Sequence, residues 1–196
     1  MPIVGPVFQG ILMTQFAAQG FTGSKLVQLS SAIGNGVANY LLASAIYQGV
    51  AVGIGVGAGV GTGTVQGIIG PVTSTNIMTM MTAVGFTGAK SFQMATAIGN
   101  GFSAFIATGI VTSASAGVAA GTGTGKLIVV GPAMASSILA MFTAVGFVGS
   151  KTPLLASAIG NGICNTILST GIVVTVIVGA GFPPTPMTGV DTGKLF

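Results

Sequence analysis

The sequence predicts a mainly α-helical chain with short extended or β junctions, built as three tandem helical-hairpin repeats closed into a pseudo-threefold ring. Three recurring marks carry this expectation. Gly20-Phe21-Thr22-Gly23-Ser24-Lys25 returns as Gly85-Phe86-Thr87-Gly88-Ala89-Lys90 and as Gly146-Phe147-Val148-Gly149-Ser150-Lys151. Ala32-Ile33-Gly34-Asn35-Gly36 returns letter for letter at 97–101 and 158–162. Gly5-Pro6 returns as Gly70-Pro71 and Gly131-Pro132. From Gly20 to Gly85 is a step of 65 and from Gly85 to Gly146 a step of 61, so one domain divides into repeats over about 5–69, 70–130 and 131–196.

Closure is read from the junctions. Thr124-Gly125-Lys126-Leu127-Ile128-Val129-Val130-Gly131-Pro132 is rebuilt when Thr192-Gly193-Lys194-Leu195 is laid before Ile3-Val4-Gly5-Pro6. The third repeat is then completed by residues 1–4, with the C-terminal segment docked beside the N-terminal one. A plain tandem triplication would leave the same boundary marks. An open solenoid would instead want polar capping repeats.

Each repeat opens on Gly-Pro, and Pro suits a first helical turn. Met134, Ile138, Met141 and Val145 then step by four, three and four, which is one apolar helix face; Ile77, Met81 and Val84 do the same over 72–84. The Gly-Phe pair ends this helix with Gly as its C-terminal stop. A second helix starts near Ser24, Ala89 or Ser150, with Ser24 and Ser150 as expected N-caps. It carries two glycines that each cost about 1 kcal/mol relative to Ala inside a helix. All three repeats keep them, so Gly34, Gly36, Gly99, Gly101, Gly160 and Gly162 are expected packing residues where backbones approach closely. Asn35, Asn100 and Asn161 lie between them. They either bond one another at a central axis or serve local backbone groups.

Beyond the second helix the pattern is ambiguous. Val52-Gly53-Ile54-Gly55-Val56-Gly57-Ala58-Gly59-Val60-Gly61 alternates with period two, and 171–181 is rich in β-branched residues, both strand signals. The same letters space Gly49, Gly53, Gly57 and Gly61 four apart, as a small-residue helix seam would. The reading adopted is a helix fading into extended chain near residue 50, with short strands such as 126–130 leading into each Gly-Pro.

Composition limits the chemistry. Only 3% of the 196 residues are charged, against about 25% in an ordinary soluble domain. Mean hydropathy is +0.95. His and Glu are lacking and Asp191 is the sole acid. A Ser-His-Asp triad, a carboxylate pair and a two-metal site are therefore excluded. Cys164 is the one cysteine and can form no disulfide within the chain. The net charge of +4 comes from Lys residues spread along a chain without Arg or Trp, which is no nucleic-acid patch.

Gly121-Thr122-Gly123-Thr124-Gly125-Lys126 looks like a phosphate loop, but the positions that need Gly and Ser or Thr hold Ala120 and Leu127. At Gly193-Lys194 they hold Thr188 and Leu195. No catalytic residue, cofactor or metal ligand is expected. Lys25, Lys90, Lys151, Lys126 and Lys194 are expected as rim charges. The first three stand at the start of second helices, where a cation opposes the helix dipole. Solvent, a partner carboxylate or a lipid phosphate would offset that. The N-terminal residues lack the basic stretch of a secretion signal.

A chain so poor in charge must cover its surface with lipid or with other chains. Residues 26–89, 91–125 and 152–190 carry no charge. Against a helical membrane bundle, the first helix has only about 13 residues where a span needs about 20. The Gly-Thr-Gly-Lys-Leu and Gly-Pro junctions, the Met-rich short helices and the Ala-Ile-Gly-Asn-Gly segments resemble the small, charge-poor virion structural proteins of contractile-tailed bacteriophages. That resemblance implies a place in a tail or baseplate hub, among threefold-symmetric structural partners, and brings no site residues with it. The expected function is a non-enzymatic plug or joint on a threefold axis of the virion. The alternative is an integral membrane protein forming a small helical bundle or pore in contact with lipid.

Overall fold

The computed structural model describes residues 4–54, 58–116, 120–180 and 186–195. Each repeat folds as helix, helix, strand, strand. The elements are α1 (Gly5–Ala18), α2 (Lys25–Ser44), β1 (Ile46–Ile54), β2 (Ala58–Gln66), α3 (Gly70–Ala83), α4 (Ala89–Ile106), β3 (Ile110–Ala116), β4 (Ala120–Ile128), α5 (Gly131–Ala144), α6 (Thr152–Thr170), β5 (Val173–Ala180) and β6 (Pro186–Leu195). The strands form a closed antiparallel barrel in sequence order, with β1 paired to both β2 and β6.

This corrects the expected architecture. The extended parts are not short junctions within a mainly helical ring of hairpins: they supply two of the four elements of each repeat and make a six-stranded barrel. Gly49 and Gly53 lie on β1 and Gly59 and Gly61 on β2, so the described glycines of the alternation belong to strands and not to a helix seam, while Gly55 and Gly57 lie outside the described residues. The physical reason lies in barrel size. Eight strands leave an interior just wide enough to fill with side chains, so six leave less. Inward positions of β1 and β2 are accordingly Gly49, Ala51, Gly59, Gly61 and Gly63, while Val50, Val52, Val60 and Thr62 alternate outward.

The register sets the tilt. Val52 pairs Val60, then Ala114, Thr124, Val174 and Lys194 follow, and Lys194 pairs Ile46. One circuit thus returns to β1 six residues from its start, since 52 − 46 = 6. Such a stagger tilts the strands against the barrel axis.

The helix ends follow local rules. Gly20, Gly85 and Gly146 have φ of +75°, +87° and +71°, the left-handed conformation that glycine takes without strain. The next residue closes the turn: Phe21 N–H donates to the Phe16 carbonyl at 2.9 Å, and Phe147 N–H to that of Phe142 at 2.8 Å. The same residues touch ring to ring, Phe16 and Phe21 edge to face with centroids 6.0 Å apart and Phe142 and Phe147 tilted with centroids 4.9 Å apart. That is a Schellman stop with its apolar contact. Pro6, Pro71 and Pro132 stand in the first turns as expected. The expected N-caps do not form. Ser24 is helical in φ and ψ with no side-chain cap bond, and the residue before α6 is Lys151 rather than Ser150.

Helices pack in chain order, α1 on α2 through to α5 on α6, and α6 packs on α1. Their core includes Phe8, Leu12, Phe16, Ile33, Ile77, Ile98, Phe102, Ile138 and Phe142, all fully buried. It is continuous with the large inward residues at the helix end of the barrel: Tyr47, Val65, Val111, Leu127 and Val173. The barrel is therefore sealed at that end by apolar side chains.

Tyr40 ties α2 to the link between β2 and α3. Its hydroxyl donates to the Gly67 carbonyl at 2.8 Å and accepts from Ile69 N–H at 2.5 Å. The matching positions are Phe105 (40 + 65) and Thr166 (105 + 61). Tyr40→Phe leaves both backbone groups without that partner and is expected to cost about 1–3 kcal/mol. A thermal melt should show a drop of a few degrees, and an unchanged melt would deny the tie its weight.

Candidate functional site

Three polar side chains, those of Tyr47, Ser113 and Asp191, are buried inside the barrel. Asp191 on β6 is fully buried, and Ser113 Oγ donates to its Oδ2 at 2.5 Å. The Tyr47 hydroxyl neighbours both but is aligned for a hydrogen bond with neither. Burial holds the Tyr47 phenol above its ordinary pKa; Ser113 pulls the other way and the Asp191 charge adds to the rise. Tyr47 Oη and Asp191 Oδ1 are among the few buried side-chain oxygens without a partner in the described residues.

Glycine makes the room. A Cβ on Gly61 would run into Asp191 Oδ2 and Ser113 Oγ, and one on Gly49 into the Tyr47 hydroxyl. The parity is consistent along the strand, with Asp191 buried between the exposed Val190 and Thr192. In the sequence Asp191 stands out as the sole acid, and the structure adds that it belongs to the alternate series Gly189, Asp191, Gly193 on β6. Its two-residue spacing among glycines was the available signal.

The barrel's outer face is the second feature. Ile46, Val50, Val52, Val60, Ile110, Ile128, Val174 and Val190 all point outward and exposed, Val60 at 64% and Val190 at 61%. Between them stand Gln48, Thr62, Thr112, Thr124, Lys126 and Thr192, also exposed.

The residues singled out from the sequence lie in the helical layer. A Cβ on Gly99 would sit 2.5 Å from Ser74 N, one on Gly160 2.5 Å from Ala135 N, and one on Gly34 3.1 Å from Gln9 N. These glycines face the first helix of their own repeat. Gly36 faces Ile77, Gly101 faces Ile138 and Gly162 faces Leu12, on the first helix of the following repeat or, from the third, of the first. At 3.6 residues per turn, positions two apart point to nearly opposite sides. Each second helix is thus wedged between two first helices, with one glycine for each side. A Cβ on Gly5, Gly70 or Gly131 would strike Asn35, Asn100 or Asn161. The amides of Asn35 and Asn161 donate to Ser31 and Ser157 at 3.1 and 3.2 Å, within their own helices rather than to one another.

Lys25, Lys90 and Lys151 are exposed at the starts of their helices. The ammonium of Lys90 lies 5.8 Å from the centre of the Phe147 ring, and that of Lys151 5.9 Å from Phe21. Both rings sit at the C-terminal ends of neighbouring helices, where the dipole favours a cation. Lys126 is exposed on the outside of the barrel, and the Lys194 side chain lies outside the described residues. The Cys164 thiol is buried and pushed up to about 12, so it is unreactive near neutral pH.

No protein-family model, curated protein or solved structure matches the chain. Among the described residues no helix is long and apolar enough to cross a membrane, and no three potential metal-ligating side chains of His, Cys, Asp or Glu cluster.

Proposed function

We propose that this chain is a non-enzymatic structural component of a large assembly, a plug or joint on a threefold axis of the kind found in phage tail and baseplate hubs, in the virion. The observation that carries the reading is the outer face of the barrel. An exposed belt of Ile and Val surrounding a closed sheet is a surface built to be covered. The cover is protein rather than lipid, because Thr62, Thr112, Thr124, Gln48 and Lys126 interrupt the belt. A protein partner can hydrogen-bond those groups and hydrocarbon cannot. Three hairpins, one from each repeat, offer three similar faces to threefold-related neighbours.

A membrane-inserted barrel is the second reading. An even number of antiparallel strands with apolar residues outward is the pattern of such barrels. The described spans of β1, β2 and β4, 9 residues each, and of β6, 10 residues, match the about 9–11 that a spanning strand needs, and the polar residues that interrupt the outer belt count against this reading.

Fractionation separates the two. Expressed alone, the protein is expected to be insoluble or to need detergent. Co-expressed with the structural proteins of its own assembly, it should become soluble without detergent. Extraction by detergent alone in the presence of those partners, with protection from protease in sealed vesicles, would replace this reading with the membrane one.

A further inference from the structure

We propose that the barrel interior binds one small monovalent cation, of the sodium or potassium class, between Asp191, Ser113 and Tyr47. The donors are all oxygens: the two of the carboxylate, the Ser113 hydroxyl and the Tyr47 hydroxyl. Oxygen donors suit hard cations, and the site offers no nitrogen or sulfur to a transition metal.

Charge and burial make the case. Asp191 is 0% exposed, and only one of its oxygens has a partner in the described residues. A buried carboxylate calls for a compensating charge. No cationic side chain supplies it among the described residues: Lys126 is exposed outside the barrel, Lys25, Lys90 and Lys151 are exposed at the helix starts, and Lys194 takes the register position on β6 opposite the exposed Ile46 and Val174. One monovalent ion makes the site neutral, whereas a divalent ion would leave a buried positive charge. The Tyr47 phenol stays protonated near neutral pH, since burial raises its pKa, and offers the ion a neutral lone pair. Ser113 can donate its proton to Asp191 Oδ2 and still present lone pairs to the ion. Gly49 and Gly61 leave open the space that a Cβ at either position would take from these oxygens. The site does not depend on what covers the outside of the barrel.

The test is thermal melting of the protein in whichever form keeps it soluble, in its complex or in detergent. NaCl, KCl, CaCl2 and choline chloride are compared at one ionic strength. NaCl or KCl should raise the melting temperature by about 3–5 °C over choline at tenfold the dissociation constant. Asp191→Asn should abolish the difference. Ser113→Ala keeps the carboxylate and should weaken the cation at least about tenfold, which a concentration series reads even where Asp191→Asn does not fold. Equal melts of the native protein in all salts would overturn the proposal. So would a melt that rises only on acidification and with none of the salts. Tighter binding of calcium than of sodium or potassium would overturn the monovalent assignment.

Discussion

Replacing Gly34, Gly99 and Gly160 together by Ala is expected to lower the melting temperature by roughly 10–20 °C. Two effects compete at each site. Helix propensity favours Ala over Gly by up to about 1 kcal/mol. Packing opposes it, because the added methyl meets backbone, which yields less readily than the end of a side chain. At Gly99 the obstacles are Ser74 N at 2.5 Å and Cα at 2.8 Å, and at Gly160 Ala135 N at 2.5 Å and Cα at 2.6 Å. Overpacking of this kind costs about 1–3 kcal/mol per site. The three glycines press on three different helices, so their costs should add. Gly10 is the internal control. It is exposed in α1 and a Cβ there would meet nothing within 4 Å. Gly10→Ala should therefore hold or raise the melting temperature. A triple variant that melts like Gly10→Ala would show that these glycines are not contact points.

The second large effect is on assembly rather than on folding. Val50 and Val190 are directly opposite on β1 and β6, and both are exposed. Val50→Lys with Val190→Glu places an ion pair on the outer face without touching the interior. Opposite charges facing across strands contribute roughly 0.2–1 kcal/mol, so the melting temperature of the protein without its partners should hardly move. Burying that pair under an apolar partner is costly. Association with the assembly should fall by at least about 100-fold, as a pull-down titration would measure. Normal association would show that this part of the belt is not covered by partners.

Much of the helical layer is legible in the letters. The repeats, the proline starts and the glycine stops are local signals, and local backbone rules act on them directly. The paired glycines announce close packing, although only the folded helices show that Gly34 and Gly36 serve opposite neighbours. The barrel is harder to read for a physical reason. Large inward side chains are confined to the helix end, at Tyr47, Val65, Val111, Leu127 and Val173, while Gly49, Gly59, Gly61 and Gly63 occupy inward positions of β1 and β2, so the usual contrast between a buried apolar face and a wet polar face is blurred. Val52, Val60 and their neighbours point outward, reversing the expectation that the larger apolar residues mark the core. The seam pairing β1 with β6 joins residues far apart in the chain, which no short-range pattern reveals. Ser24 and Ser150 show the opposite failing, since residues of a favourable type can stand beside a helix start without capping it.

That seam also bears on how the fold is reached. Ile46 and Lys194 are partners 148 positions apart in the chain (194 − 46 = 148). Each β-hairpin inside a repeat can form early, because its two strands are close in the chain and little loop entropy is lost. The β1–β6 pairing must wait until β6 has been synthesised. Until then one edge of β1 presents unpaired backbone groups beside exposed valines, an open template for another chain. Barrel closure is thus the step at which intermolecular association competes most directly with folding, and the order of synthesis leaves the first strand exposed for longest.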